Sequence, residues 1–126
     1  TRLYHSNSIS QIKNQGIEVH VRSVFLQGLF YLDSRVLDSR FSDAVESLEY
    51  LHKLSSEHNL SLAELSLLWV ISLPDVDKVV IGVDKTEHLE KHIETLKKEV
   101  SNVCFEKALS IKYINDKVLN PLNWLI

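Results

Sequence analysis

The sequence has no methionine, one cysteine, three glycines and two prolines in 126 residues. A single cysteine, Cys104, excludes an internal disulfide and any cysteine-rich zinc site, and it suits a reducing compartment. So few glycines and prolines exclude collagen-like and linker-like chains. No apolar run is long enough to cross a bilayer, and residues 1–10 are polar, without the apolar stretch of a secretory signal. There is no long Lys/Arg run, and the formal net charge is −3, so the electrostatic footprint of a nucleic-acid binder is missing. With no methionine to start from, either an initiator was removed ahead of Thr1 or the chain is a piece of something longer.

What is present is ordinary for a globular domain: 44% apolar and 25% charged residues, which argues against disorder. A chain of this length can bury roughly two-thirds of its surface and suits one domain. Residues 8–14 read as a short helix closed near Gly16. Residues 17–25 (IEVHVRSVF) alternate as a strand, with Ile17, Val19, Val21, Ser23 and Phe25 on one face. Glu18, His20, Arg22 and Val24 take the other face, which is either the solvated side of an edge strand or a polar lining; the pattern alone favours the first.

After an apolar loop (29–32) and a polar irregular stretch (33–40), a helix starts at Ser42 or Asp43 and runs to about Glu57. Its buried stripe is Ala44, Val45, Leu48, Leu51 and Leu54. Ser61 and Glu64 form a capping box ahead of a helix that is apolar nearly all round and stopped by Pro74. Val79, Val80 and Ile81 read as a strand covered on both faces. A helix follows from Asp84 or Thr86 to about Glu99, with Leu89, Ile93, Leu96 and Val100 inward, and another near 105–113. The apolar tail carries Pro121 and Trp124, read as a clamp of the tail onto a helix. Two parallel strands joined by a helical crossover make a βαβ unit, but two strands alone make a poor sheet with unpaired edges.

GIEVHVRSVFLQGLF (16–30), SLAELSLLWVISLPDVDKVVIGVDKTEHLEKHI (61–93) and DKVLNPLNW (116–124) together resemble the C-terminal part of the aldo/keto reductases, NAD(P)-dependent oxidoreductases on a (β/α)8 barrel. The resemblance implies an α/β fold: a C-terminal fragment of a TIM barrel, mostly helical, with about two parallel strands. It makes residues 1–126 one partial domain, the last two βα units plus a C-terminal tail. In a closed barrel, Glu18, His20 and Arg22 would face the interior. The family's catalytic Asp, Tyr, Lys and His lie on earlier strands and loops, and no residue here matches their motifs. The implied function is therefore the C-terminal portion of a carbonyl/alcohol oxidoreductase, inactive alone.

The cofactor side of the family maps here onto Arg22, Ser23 and Phe25 at the end of the first strand. It also maps onto Gly82, Val83, Asp84, Lys85, His88 and His92 around the second. Arg22 stands where the family carries a ring that stacks on nicotinamide, and its simplest role is pairing with Glu18 or another acid. Asp84 and Thr86 serve equally well as ordinary caps. The implied cofactor is NADP or NAD, with a dinucleotide and a small carbonyl as ligands of the completed barrel. His88 and His92 lack a third metal ligand, so no metal is expected. Cys104 and Trp69 are read as packing residues. The rival reading is a stand-alone helical assembly module, a homo-oligomer whose second copy covers the open strands. Either way the expected setting is cytoplasmic, without nucleic-acid or membrane partners.

Overall fold

The computed structural model describes residues 6–111 and 116–124, so the end of the helix expected near 105–113 falls outside the described residues. Helix α1 spans Ser8–Asn14 and ends at Gly16, whose φ of 74° is the left-handed value a helix stop requires. Strand β1 is His20–Arg22, much shorter than the alternation predicts. Its C-terminal end is set by Ser23, which sits at φ 60° and takes the backbone out of the pleat. Beyond that point alternation resets: Val24, expected among the polar residues, is buried over Leu67 and Val70.

The polar stretch after β1 is held by two short 3-10 turns, Ser34–Val36 and Ser39–Ala44, capped by Asp33 and Asp38. Helix α2 (Val45–Glu57) buries Leu48, Leu51 and Leu54, as the stripe predicts. Leu48 packs with Leu29, Phe41, Ala44, Leu62 and Val118 in one core cluster. Helix α3 (Leu62–Ile71) has six of its ten residues buried. Its capping box is complete: Glu64 donates its amide to Ser61 Oγ at 3.2 Å, and Ser61 donates its own amide to Glu64 Oε2 at 2.7 Å.

Strand β2 (Lys78–Val80) pairs parallel with β1, His20 against Lys78, Val21 against Val79 and Arg22 against Val80. Asp77 locks the entry to this pair: it accepts the Val19 amide and the Lys13 ammonium, both at 2.7 Å. Val21, Val79 and Ile81 rest on α3, but Val80 is 55% exposed. The expectation of cover on both faces thus fails for β2: among the described residues the sheet has two strands, and Val80 is left open rather than packed on α3.

Helix α4 (Thr86–Thr95) corrects a second expectation. It stops four residues short of Glu99, and Leu89, Ile93 and Leu96 are 43%, 50% and 54% exposed. The residue fully buried from this helix is Thr95, whose hydroxyl donates to Lys91 O at 2.8 Å and reaches Glu64 at 3.3 Å. Helical periodicity marks an apolar stripe correctly but does not say which stripe has a neighbour. Helix α5 (Asn102–Leu109) buries Cys104 and Phe105 against Leu54, Leu65 and Leu68. Helix α6 (Asp116–Leu119) leads to the tail, where Trp124 meets the ring of Phe41 edge-on at 5.0 Å and donates Nε1–H to Val118 O. The tail is thus clamped onto the 3-10 turn before α2 and onto the core cluster that α2 helps to form.

Candidate functional site

Because β1 and β2 are parallel and in register, the segments that leave them emerge at the same end of the sheet. Between those exits lies a cleft of about 800 Å³. Arg22, Ser23, Phe25, Gln27, Gly28 and Tyr31 line it from the β1 side. Ile81, Gly82, Asp84, His88, Lys91 and His92 line it from β2 and α4. Seven of the nine candidate residues thus share one cavity. Val83 and Lys85 are exposed and are not among its walls.

The β1 exit loop is shaped by backbone rather than by side chains. Ser23, Leu26 and Gln27 all have φ between 47° and 60°, and Gly28 follows at 86°. Three left-handed non-glycine residues so close together are uncommon, and such strain gathers at binding loops. Ser66 on α3 holds the loop in place, donating its hydroxyl to Val24 O at 2.8 Å. The loop carries Phe25 against α4, where its ring stacks on His92 with centroids 5.0 Å apart and planes 12° from parallel. Tyr31 meets Phe25 at 5.4 Å with the two ring planes tilted by 59°.

The charges differ from expectation at Arg22. Glu18 is already engaged by Lys78 at 2.7 Å and His20 at 2.9 Å, and those two bonds hold its carboxyl below the usual range. Arg22 makes no ion pair with the described residues, so its guanidinium is left to the cleft. The caps also differ. The N-cap of α4 is Lys85, and no side chain caps the helix, neither Asp84 nor Thr86. Its first amides are therefore left for water or a ligand at the edge of the cleft. His92 is held toward its neutral form by partial burial, with the charges of His88 and Lys91 acting the same way. Burial, then the nearby Glu64 carboxylate, pushes the Tyr31 phenol up, so it is un-ionised at neutral pH.

Gln27, Gly28, Tyr31 and Lys91 are wall residues that sequence reasoning missed. Lys91 was within reach, since it lies three residues after His88 and shares its helical face. Tyr31 was not, because its position depends on the left-handed turn at 26–28. Among the described residues no group of three or more His, Cys, Asp or Glu side chains is placed to hold a metal ion. Nor is any described helix long and apolar enough to cross a membrane. The sequence model of the Aldo/keto reductase family matches residues 4–110. No curated protein and no solved structure gives a significant match to the chain.

Proposed function

The chain belongs to the Aldo/keto reductase family, and on that premise we propose that it is the closing part of an NAD(P)H-dependent carbonyl reductase barrel and that its cleft helps to hold the dinucleotide. One observation carries this reading. Arg22, His88 and Lys91 converge on one cavity from a strand exit and the facing helix, and none of them is ion-paired with a described residue. Unneutralised basic groups around a cavity suit a polyanion. A volume near 800 Å³ is within the range of about 300–1,000 Å³ typical of small-molecule sites. Phe25, stacked on His92 and in ring contact with Tyr31, adds apolar aromatic surface to the cavity wall.

The bound dinucleotide would supply the hydride. This chain's part is to hold phosphate with Arg22, His88 and Lys91, with Phe25 adding apolar surface to the cavity wall. No residue of the chain matches the family's catalytic Asp, Tyr, Lys or His, so binding without turnover is the expected behaviour of the chain alone. One buried cysteine and the absence of a membrane-spanning helix among the described residues fit a cytoplasmic protein.

Calorimetric titration with NADP+ and NAD+ tests the reading. Saturable binding with a Kd at or below about 1 mM is expected, weakened about tenfold by Arg22→Ala through loss of one charge-assisted phosphate contact. No binding of either dinucleotide in the millimolar range would remove it. NADPH oxidation with a panel of aldehydes and ketones should stay at the no-enzyme rate, and measurable turnover would refute the assigned inactivity.

A second reading is that the chain assembles with copies of itself. It is favoured by the exposed stripe of Leu89, Ile93 and Leu96, and by a sheet that has two strands, each with an open edge, among the described residues. Light scattering across a dilution series should then show a dimer or larger species that Ile93→Asp converts to monomer. A monomer at every concentration would dispose of it.

A further inference from the structure

The cleft is lined by two kinds of basic side chain. Arginine and lysine stay charged throughout the neutral range, whereas histidine is the side-chain type whose ordinary titration falls between pH 5 and 8. Arg22 and Lys91 supply the first kind; His88 and His92, one turn apart on α4, supply the second. The other ionisable groups facing them are Asp84 from the turn after β2 and Tyr31 from the β1 exit loop. From α3, Glu64 acts on both His92 and Tyr31 through its charge.

Resting on the reading of this cleft as a phosphate-bearing dinucleotide site, we propose that His88 and His92 make its grip pH-dependent, tightening as an imidazole takes up a proton. In the free chain His92 lies flat on Phe25; partial burial, then the charges of His88 and Lys91, favour its neutral ring and outweigh the opposing pull of Glu64. A phosphate entering the cleft reverses that balance, because it sets negative charge beside the imidazoles and favours imidazolium. Binding therefore draws in protons, and by linkage added protons strengthen binding. The ligand's own titration runs the opposite way. A phosphate monoester loses its second proton near pH 6 and becomes more anionic above it. Simple attraction to Arg22 and Lys91 would thus strengthen as pH rises, so weakening with rising pH isolates the histidines.

The test is NADP+ binding to the whole chain by calorimetry at about pH 5.5, 7 and 8.5, repeated at pH 7 in two buffers of different ionisation enthalpy to count protons taken up. Affinity should fall at least about tenfold from the lowest to the highest pH, with net proton uptake at pH 7. The double variant H88Q/H92Q should bind no more tightly at pH 5.5 than at pH 8.5. Binding that is flat or rises with pH in the native chain, absence of proton uptake, or a native pH slope retained in the variant would each overturn the proposal. Should the variant not fold, proton uptake by the native chain decides alone. Absence of NADP+ binding at every pH would overturn the cofactor reading and this inference with it, an outcome distinct from pH-independent binding, which overturns only the inference.

Discussion

Replacing Leu48 with alanine should lower the stability of the chain by about 2–5 kcal/mol, while the same replacement at Leu89 should cost less than about 1 kcal/mol. In the sequence the two leucines look alike, since each lies on the apolar stripe of an amphipathic helix. In the fold they part company. Leu48 is 2% exposed and fills the space between Leu29, Phe41, Ala44, Leu62 and Val118; Leu89 is 43% exposed. Truncating Leu48 forfeits transfer energy and leaves a cavity, whereas truncating Leu89 removes atoms that already touch water. A domain of this kind has about 5–15 kcal/mol of net stability, so the first change takes a large share of it. Urea unfolding followed by tryptophan fluorescence, at protein concentrations low enough to suppress self-association, gives both values. Equal losses at the two positions would mean that α4 packs its apolar stripe inward after all.

Acid should reveal the second large effect, through Glu64. This carboxylate joins three pieces of structure: it accepts the Ser61 amide in the capping box, the Lys98 ammonium at 2.8 Å and the Thr95 hydroxyl at 3.3 Å. Partial burial pushes its pKa up, but the Lys98 bond and the Ser61 backbone and side-chain bonds outweigh it and bring the value from 4.5 to about 2. The folded value lies below the unfolded one. The contribution is therefore complete above about pH 4.5 and is lost as pH falls toward 2. The Lys98 side chain is 40% exposed, and solvent screening reduces the ion-pair share. Discounted accordingly, Glu64→Gln should cost about 1–2 kcal/mol at pH 7, with the amide oxygen keeping the reach back to Ser61.

The difference between native chain and variant, measured by urea unfolding from pH 7 down to pH 3, is the informative quantity. Asp33, Asp38, Asp77 and Glu18 are also held below their ordinary range by neighbouring cations and amides, but they are common to both proteins and cancel. The difference should shrink progressively below about pH 4.5. A gap that stays constant down to pH 3 would show that the carboxylate charge has no part in it. Glu64→Ala should cost more than Glu64→Gln at pH 7, because it removes the cap as well as the charge.

Much of the candidate site was legible because the family resemblance maps it onto the exits of two strands, and their parallel pairing brings those exits together. A left-handed serine, invisible in the alternation of residues 17–25, moved Val24 into the core and swung Phe25 toward His92. Arg22 was assigned to Glu18 because they share a strand face; the parallel partner brought Lys78 there instead. No rule applied to one strand anticipates a competitor that lies 60 residues away in the chain.

By itself the sequence determined the features whose cause lies within a turn of helix or a few residues of strand. These are the Ser61–Glu64 capping box, the Ala44–Leu54 stripe, the stop at Gly16 and a family resemblance spread over several short stretches. Tertiary structure alone decided which stripe of α4 meets the core, which cation takes Glu18 and which side chains surround the cleft. Propensity and capping are energies of neighbours along the chain, while burial and ion pairing go to whichever distant group the fold holds at contact distance.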